Sequence, residues 1–518
     1  MNRTRRLVSL VAVLAVAAAA LSGCGILWDA KAESTPRASL APNLDAVPEG
    51  FGDFYAQALD WRACDGIDEG TYDCTEVTAP LDWADPDGGE IELAVIRRHA
   101  DSGDPAGSLL TNPGGPGASG FDLIADSALF AVGEDLAEVY DVIGFDPRGV
   151  GRSTAVTCLD PQAMDAYLYD IPTHPRGTPE WERELTESNR AFAEACEARS
   201  GGILPFITTD NAARDLDLLR AVLGDETLNY LGYSYGTFLG ATYAKIFPAN
   251  VGRLVLDGAI DPSIPGIEVG TVQAAGFESA LRAFMTWCLG ERECPFGGTL
   301  EEALDDLATL LASVDRAPLA NEDGRRLGAD TLVTAIVSAL YADVRWPYLA
   351  QALTDALAGD PEVAFALADD YNSRAADGSY LDNTAEAFRA YNCMDYPIED
   401  DPEAEAAARA YVAENAPTIA PYWEGVETCA DWPAEATGVR ERITADGAPP
   451  IVVVGTTNDP ATPYSWSVAL AEQLSSGVLV TRVGEGHTGF NKGNACVDDA
   501  VVDYLIDGTV PEDGLRCE

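Results

Sequence analysis

Short apolar runs alternate with amphipathic stretches along most of the chain. The apolar runs predict strands at 91–97, 108–111, 140–145, 228–231, 253–256, 451–454 and 478–483. Between several of these runs, apolar residues recur at helical spacing, as in 211–223 and 237–247. Strands that alternate with helices through short connections predict an α/β protein with a mostly parallel central sheet.

The pattern changes between residues 263 and 445. This stretch is rich in Ala, Asp and Glu and has helical periodicity, as in 300–314 and 402–413. We therefore expect an inserted helical cap at 263–445 and an α/β core formed by 46–262 and 446–518. A total of 518 residues fits this division, because single cores rarely exceed about 250–300 residues.

The N-terminal segment is typical of an export signal. Three arginines precede an apolar run at 7–21, which is short for a membrane span of about 20 residues. The run ends in Leu-Ser-Gly-Cys at 21–24, which resembles a bacterial lipobox. We expect a lipoprotein signal peptide at 1–23, lipidation of Cys24 and a tether at 24–45. The alternative is an ordinary signal peptide with a chance cysteine. The predicted location is extracytoplasmic, with a lipid anchor in the cell membrane or release as a secreted form.

Cysteine usage agrees with export. Ten cysteines remain besides Cys24, and an even number in an oxidising compartment indicates a set of disulfides. The sequence alone does not fix the pairing, and we predict successive pairing because each bridge then closes a short loop. The predicted pairs are Cys64–Cys74, Cys158–Cys196, Cys288–Cys294, Cys393–Cys429 and Cys496–Cys517. No two cysteines have the Cys-x-x-Cys spacing of common zinc modules, and we expect no metal site.

The charge is strongly acidic, with 85 Asp and Glu against 32 Lys and Arg and a formal net charge of −53. Such a surface disfavours nucleic acid, whose binding depends on Lys and Arg, and it is repelled by anionic lipid headgroups. A dense carboxylate surface suits high ionic strength, where screening weakens self-repulsion. Salt adaptation is therefore a hypothesis, with compositional drift as the alternative.

Candidate chemistry begins with Gly-Tyr-Ser-Tyr-Gly at 232–236, between a predicted strand and a predicted helix. That context is typical of a nucleophile elbow, a sharp turn that exposes a serine and has room only for glycines two residues on either side. We therefore expect Ser234 to be the nucleophile of a serine hydrolase. The backbone N–H of Tyr235 is a predicted donor to the oxyanion.

A serine hydroxyl needs a base, and the chain has three histidines. His487 lies in a glycine-containing loop after the last predicted strand. It follows Ser234 in the chain, which agrees with the Ser…Asp…His order of hydrolases that have a nucleophile elbow. Asp459 follows the preceding strand and is the predicted acid of the triad. Asp257, one strand earlier, is its competitor.

The loop Asn-Pro-Gly-Gly-Pro-Gly at 112–117 follows an early strand, where this fold places its second oxyanion donor. Gly115 is the predicted donor and Gly114 the next candidate. The same region has a rival interpretation, since 115–120 matches G-x-G-x-x-G and Asp146 stands near where a ribose-binding acid is expected. A dinucleotide-binding domain, however, leaves the elbow unexplained.

Together the motifs resemble those of secreted tripeptidyl aminopeptidase-like hydrolases, relatives of the proline iminopeptidases in the α/β-hydrolase superfamily. The resemblance runs from about residue 50 to the C-terminus. The motifs that carry it are Asn-Pro-Gly-Gly-Pro-Gly at 112–117, Asp-Pro-Arg-Gly-Val-Gly-Arg-Ser at 146–153, Gly-Tyr-Ser-Tyr-Gly-Thr at 232–237, Leu-Asp-Gly at 256–258, Asn-Cys-Met-Asp at 392–395, Asp-Pro-Ala-Thr-Pro at 459–463 and Gly-His at 486–487. The resemblance implies an α/β-hydrolase fold and favours Asp459 over Asp257 as the acid.

The resemblance also implies an exported serine exopeptidase that cleaves short peptides from free N-termini through an acyl-enzyme. We expect no organic cofactor. A carboxylate in a partly closed pocket binds an ammonium group well, and Asp395, near the return of the cap to the core, is the predicted substrate-binding acid. The alternatives are a carboxylesterase acting on small acyl esters and a catalytically inactive peptide-binding lipoprotein.

Overall fold

The computed structural model describes residues 40–67, 70–398, 401–423 and 427–518. The predicted signal peptide, the lipidation site Cys24 and the tether up to residue 39 lie outside the described residues. Within the part of the chain that is described, no helix is both long enough and apolar enough to cross a membrane.

The centre of the molecule is a large mixed sheet. The strands of the described residues are β1 (Arg62–Ala63), β2 (Tyr72–Asp82), β3 (Asp85–Arg98), β4 (Ser108–Asn112), β5 (Asp141–Phe145), β6 (Leu228–Tyr233), β7 (Val251–Asp257), β8 (Leu319–Ala320), β9 (Arg326–Leu327), β10 (Ile451–Asn458), β11 (Gly477–Glu485) and β12 (Leu515–Cys517). Ten of them form one sheet in the order β1-β2-β3-β5-β4-β6-β7-β10-β11-β12. The pairs from β1 to β5 across the sheet are antiparallel, and every pair from β5 to β12 is parallel. The mostly parallel sheet of the predicted α/β-hydrolase fold is confirmed.

Helices cover both faces of this sheet and also make up much of the segment 263–445. They are α1 (Gly52–Tyr55), α2 (Gly120–Val139), α3 (Pro161–Tyr169), α4 (Pro179–Ser200), α5 (Thr209–Leu223), α6 (Tyr235–Ile246), α7 (Gly266–Gly290), α8 (Leu300–Arg316), α9 (Ala329–Leu340), α10 (Trp346–Ala358), α11 (Glu362–Tyr371), α12 (Thr384–Asp395), α13 (Pro402–Asn415), α14 (Ala420–Trp423), α15 (Tyr464–Gln473) and α16 (Ala495–Asp507). Because α2 and α16 pack on one face and α5, α6 and α15 on the other, the parallel strands are buried on both sides.

The strand β10 illustrates why the sequence shows an unbroken apolar run there. Val452 and Val454 contact the cluster around α2 and α16, whereas Ile451 and Val453 contact the opposite cluster. Successive side chains of a strand point to opposite faces, so both sets must be apolar when both faces are covered.

The predicted helix at 211–223 is confirmed as α5, which begins two residues earlier. The Thr208 side chain accepts a hydrogen bond from the Asn211 N–H at the start, and Gly224 ends the helix in the left-handed conformation. Its leucines at 216, 219 and 223 are buried against the sheet.

The helices α7 to α11, α13 and α14 pack around a second hydrophobic cluster, separate from the sheet. We refer to these seven helices, all of which lie within the predicted segment 263–445, as the cap. Helix α12 lies in the same segment but packs on the core, since Ala387, Tyr391 and Met394 belong to the cluster of α5 and α6. Part of the inserted segment therefore returns to the core before β10 begins.

All five predicted disulfides are present, at Cys64–Cys74, Cys158–Cys196, Cys288–Cys294, Cys393–Cys429 and Cys496–Cys517. Stable disulfides form in oxidising compartments and are rare in the cytoplasm. They indicate an extracytoplasmic protein.

Candidate active site

Ser234 occupies the turn between β6 and α6. Its backbone has φ 54° and ψ −123°, a strained conformation for a residue that carries a side chain. The flanking glycines are required by space. A Cβ on Gly232 would lie 2.5 Å from the Gly236 carbonyl oxygen, and one on Gly236 would lie 2.8 Å from the Asn112 carbonyl oxygen. The turn therefore has the geometry of a nucleophile elbow.

Backbone hydrogen bonds fix the elbow to the neighbouring strand. The Ser234 N–H donates to the Asp257 carbonyl oxygen at 2.9 Å, and the Thr237 hydroxyl donates to the Ser234 carbonyl oxygen at 2.6 Å. The position of the serine is thus set by β7 on one side and by the first turn of α6 on the other.

His487 and Asp459 form a close pair at the ends of β11 and β10. Nδ1 of the imidazole lies 2.9 Å from both carboxylate oxygens. Asp459 is 2% exposed and also accepts hydrogen bonds from the backbone N–H groups of Ala461, Thr462 and Thr488. With every carboxylate oxygen engaged, the acid is held in one orientation towards the ring.

The other ring nitrogen of His487 faces no partner. Nε2 is buried and has no hydrogen bond to any group among the described residues. Because the Asp459 carboxylate is an acceptor at Nδ1, the neutral ring carries its hydrogen on Nδ1 and presents a lone pair at Nε2. The ring is thus prepared to take a proton at Nε2.

The cap contributes to the position of His487. The backbone N–H of His487 donates to the Tyr341 carbonyl oxygen at 2.8 Å, and the Tyr341 ring lies edge-on to the imidazole with 5.3 Å between the ring centroids. Tyr341 directly follows α9 and belongs to none of the sequence motifs. No pattern in the sequence indicates this residue, because its contact depends on how the cap sits on the core.

Asp257, the competing acid, contacts the same loop in another way. It is fully buried at the end of β7 and accepts hydrogen bonds from the backbone N–H groups of Gly489 and Phe490 at 2.8 Å each. Burial raises the pKa of Asp257 to about 6, against the lowering effect of these donors. Of the two candidate acids, Asp459 is therefore the one whose carboxylate contacts the imidazole.

The glycine loop (residues 112–117) packs directly against the elbow. A Cβ on Gly114 would lie 2.9 Å from the Tyr235 nitrogen, so only glycine allows this approach. The Gly114 N–H donates to the Asn112 side-chain oxygen at 3.0 Å. That hydrogen bond occupies Gly114, and Gly115 stays the predicted donor alongside Tyr235.

Asp395, the predicted ammonium-binding acid, lies in the core beneath the elbow. It is 4% exposed, and its two carboxylate oxygens accept hydrogen bonds from the Thr209 N–H at 2.9 Å and the Thr209 hydroxyl at 2.6 Å. Burial raises the pKa of Asp395 to about 6. The structure thus brings Asp395 to the active-site region but gives it a partner within the protein.

The dinucleotide interpretation fails at its acidic residue. Asp146 is fully buried, and its carboxylate accepts hydrogen bonds from the Ser119 hydroxyl and the backbone N–H groups of Phe121 and Arg152. A carboxylate satisfied in this way has no exposed oxygen for a ribose. Within the described ranges, no three His, Cys, Asp or Glu side chains come together as a metal site.

A cavity of about 1000 Å³ lies between the start of α7, α12, α13 and the segment around α14. Phe388 and Asn392 of α12 line one wall, and Trp423 lies on another. A Cβ on Gly117 would lie 3.0 Å from the Phe388 nitrogen, so the wall formed by α12 is continuous with the glycine loop. Three glutamates and two arginines also line the cavity: Glu182, Glu405, Glu427, Arg176 and Arg409. Arg409 forms an ion pair with Glu405 at 3.5 Å.

Comparison with known proteins adds to this geometry. The family model described as TAP-like protein matches residues 416–517, which contain Asp459 and His487. The chain is 38% identical over 472 residues to Carboxylesterase B of Mycobacterium tuberculosis, an alignment that covers 88% of this chain and 89% of that protein.

Two further relatives are named as peptidases. The chain is 35% identical over 483 residues to Serine protease Hip1 of Mycobacterium tuberculosis, covering 89% of this chain and 91% of the relative. It is 34% identical over 471 residues to Tripeptidyl aminopeptidase of Streptomyces coelicolor, covering 89% of this chain and 86% of the relative.

Proposed function

Because the chain belongs to the TAP-like family of serine hydrolases, we propose that it is an extracytoplasmic exopeptidase that releases di- or tripeptides from the free N-termini of peptides. The observation that carries this proposal is the pairing of His487 with Asp459 through Nδ1, while Nε2 has no hydrogen bond to any described residue. Ser234 lies at the end of β6, on the same edge of the sheet.

The proposed first step is attack by Ser234 Oγ on the scissile carbonyl. Nε2 of His487 takes the hydroxyl proton, and Asp459 stabilises the imidazolium that forms. Negative charge develops on the carbonyl oxygen, and the backbone N–H groups of Tyr235 and Gly115 donate to it.

The tetrahedral intermediate then collapses. The C–N bond breaks, and the imidazolium returns its proton to the leaving amine, which leaves as the shortened peptide. A water molecule, deprotonated by His487, attacks the remaining acyl-enzyme in the same way. The released acyl part is a short peptide with a new carboxyl end.

We assign the acyl part of the substrate to the cavity beside α12. Its aromatic rings, including Phe388 and Trp423, suit peptide side chains. The three glutamates of its lining outnumber the two arginines, which leaves a net negative charge for a free N-terminus. Carboxylates stabilise the positively charged ammonium group of a free N-terminus, whereas an acetylated N-terminus is neutral and gains no such stabilisation. Selectivity for a free amine follows from this assignment.

Esterase activity is the second candidate. The observation in its favour is the 38% identity to a protein named Carboxylesterase B. An elbow, a base and an oxyanion hole serve esters as well as amides, because the nucleophile does not determine the leaving group. A chain that binds peptides without cleaving them is the remaining alternative.

We also propose that Cys24 carries the lipid that anchors the protein to the cell membrane. The proposal rests on the Leu-Ser-Gly-Cys sequence at 21–24. Globomycin should block processing of the wild-type precursor, and Cys24→Ala should abolish labelling with a radioactive fatty acid. Labelling that persists in the variant contradicts the anchor.

The test of function uses protein that lacks residues 1–24. We would compare kcat/KM for a tripeptide amide-linked to a fluorophore, with a free N-terminus, against its N-acetylated twin. The free-amine substrate should be preferred by at least tenfold. The Ser234→Ala variant should lose at least 10³-fold in kcat for the preferred substrate.

Three other results would contradict the proposal. Equal cleavage of both substrates removes the free-amine requirement. Rapid hydrolysis of a nitrophenyl ester without amide cleavage favours the esterase. Residual activity of Ser234→Ala within tenfold of the wild type removes Ser234 as the nucleophile.

A further inference from the structure

Helix α12 contacts the elements that carry both proposed oxyanion donors. At its start, the Thr384 hydroxyl donates to the Gly117 carbonyl oxygen at 3.2 Å. A Cβ on Gly117 would lie 2.9 Å from the Ala387 Cβ, so the glycine loop rests directly on the helix. At its other end stands Asp395, and Tyr391 lies between the two with its ring centroid 5.6 Å from that of Tyr235.

A buried chain of hydrogen bonds joins Asp395 to Tyr235. The Thr209 hydroxyl donates to the Asp395 carboxylate and also contacts the Tyr235 hydroxyl. A threonine hydroxyl has one hydrogen, so Tyr235 must be the donor to Thr209 when the carboxylate takes that hydrogen. All three residues are at most 5% exposed.

We propose that Asp395 is a positioning residue that holds the Tyr235 donor of the oxyanion hole through Thr209, and that it does not bind the substrate ammonium. This proposal rests on the proposed serine hydrolase mechanism. Tyr235 directly follows Ser234 and is the first residue of α6, so its ring anchors the backbone N–H that faces the developing oxyanion. An error of about 1 Å in such a position costs on the order of 10²-fold in rate.

The geometry separates this role from ammonium binding. Both carboxylate oxygens of Asp395 already accept hydrogen bonds from Thr209, and the backbone of Asp395 is covered by Gly438, where an added Cβ would lie 2.2 Å from the Asp395 carbonyl oxygen. A substrate amine would have to displace Thr209 to reach the carboxylate.

The cap offers a matched control. Glu278 is buried, and its carboxylate oxygens accept hydrogen bonds from the N–H and the hydroxyl of Thr418, the same pattern as Asp395 with Thr209. Among the described residues, no hydrogen bond joins Thr418 to Tyr235 or to another residue of the elbow. Glu278→Gln therefore removes an equivalent buried carboxylate without the link to the oxyanion hole.

The experiment compares Asp395→Asn, Thr209→Val, Tyr235→Phe and Glu278→Gln with the wild type. We would measure kcat and KM for the free-amine tripeptide amide and the inhibition constant of a tripeptide aldehyde, whose adduct places an oxygen in the oxyanion hole. The first three variants should lose about tenfold in kcat and bind the aldehyde about tenfold more weakly, with KM within twofold. Glu278→Gln should keep both values within twofold.

Thr209→Ser tests the hydroxyl itself and should restore kcat to within about twofold of wild type. Thr209→Val, Thr209→Ser and Tyr235→Phe leave the charge of Asp395 in place, so they test the proposal even if Asp395→Asn does not fold. The same series on a nitrophenyl ester keeps the test valid for a chain that hydrolyses only esters, because both reactions use the same hole.

Several outcomes would overturn the proposal. If Asp395→Asn raises KM for the free-amine substrate but not for its N-acetylated twin, Asp395 binds the substrate ammonium. If Glu278→Gln lowers kcat and aldehyde affinity as much as Asp395→Asn does, the loss of any buried carboxylate of this kind has the same effect. A Thr209→Ser variant as impaired as Thr209→Val removes the hydroxyl link.

Discussion

The ends of β7 and β10 lie side by side in the sheet, and a buried aspartate stands at each. Both carboxylates contact the loop that carries His487, but at different groups. Asp459, at β10, accepts from Nδ1 of the imidazole, whereas Asp257, at β7, accepts from the backbone of Gly489 and Phe490. Two acids in equivalent places thus divide the work of orienting one histidine.

The difference shows what a sequence pattern leaves open. Each aspartate follows an apolar strand and precedes the histidine in the chain, so position alone does not separate them. The structure separates them by the way the loop approaches the sheet. The imidazole of His487 reaches Asp459 at β10, whereas the backbone of the following residues reaches Asp257 at β7. Substitution of each acid therefore tests a different part of the same assembly.

Asp459→Asn should have the largest effect. The amide donates at Nδ1 instead of accepting there, which favours the wrong tautomer and leaves Nε2 protonated. We expect kcat to fall by about 10⁴-fold with KM little changed. Steady-state kinetics on the tripeptide amide check this, and a fall smaller than that of Asp257→Asn would reverse the assignment of the acid.

Asp257→Asn should have a smaller effect on rate. One N–H of the loop then faces an amide group that cannot accept from it, and the loop loses part of its anchor while the imidazole keeps Asp459. We expect kcat to fall by about 10- to 100-fold. An unchanged kcat would mean that the loop is held sufficiently by Tyr341 and Asp459.

The pH dependence of stability should separate the two ends further. Burial raises the pKa of Asp257 to about 6, so the folded state binds this proton more tightly than the unfolded chain. The stability that Asp257 contributes is fully present only below its ordinary pKa of 3.8 and is lost as pH rises from there through about 6. We expect the free energy of unfolding of the wild type, minus that of Asp257→Asn, to fall by about 2 kcal/mol between pH 4 and 7.5. Urea unfolding across this range measures it, and a flat difference contradicts the raised pKa.

Added salt should have the smallest effect, and it should act on the exposed carboxylates and not on the buried Asp257 and Asp459. Screening reaches the exposed carboxylates that give the chain its net charge of −53, so the melting temperature should rise by a few degrees, about 5 °C, between 0.1 and 2 M NaCl. The ratio of kcat between wild type and Asp459→Asn should stay constant, because both acids are buried. A melting temperature independent of salt would argue against salt adaptation.

Much of the fold could be predicted because burial on two faces leaves a strong signal. Apolar runs in the sequence coincide with the strands β4, β5, β6, β7, β10 and β11. The strand β2 carries Asp, Thr and Glu and alternates in burial, and β12 has only three residues, so neither forms such a run. The sequence places the return of the chain to the core near Asp395, but it does not show that α12 packs on α5 and α6, because these helices are remote in sequence.

The site divides in the same way. The elbow, the histidine and the two aspartates carry local signatures, because glycines and strand ends are visible in the sequence. Tyr341 and Thr209 carry none: each acts through a contact between segments far apart in the chain. Asp395 was recognisable as a special residue, but the direction of its carboxylate is set by helix packing that no spacing encodes.

The order of the disulfides has a consequence for biogenesis. Among the ten cysteines of the described residues, each is bonded to its neighbour along the chain, with separations of 6 to 38 residues. A polypeptide that crosses a membrane from its N-terminus therefore delivers both partners of one bridge before the first partner of the next. Oxidation can keep pace with translocation, and a simple thiol oxidant completes the set without an isomerase to shuffle wrong pairs.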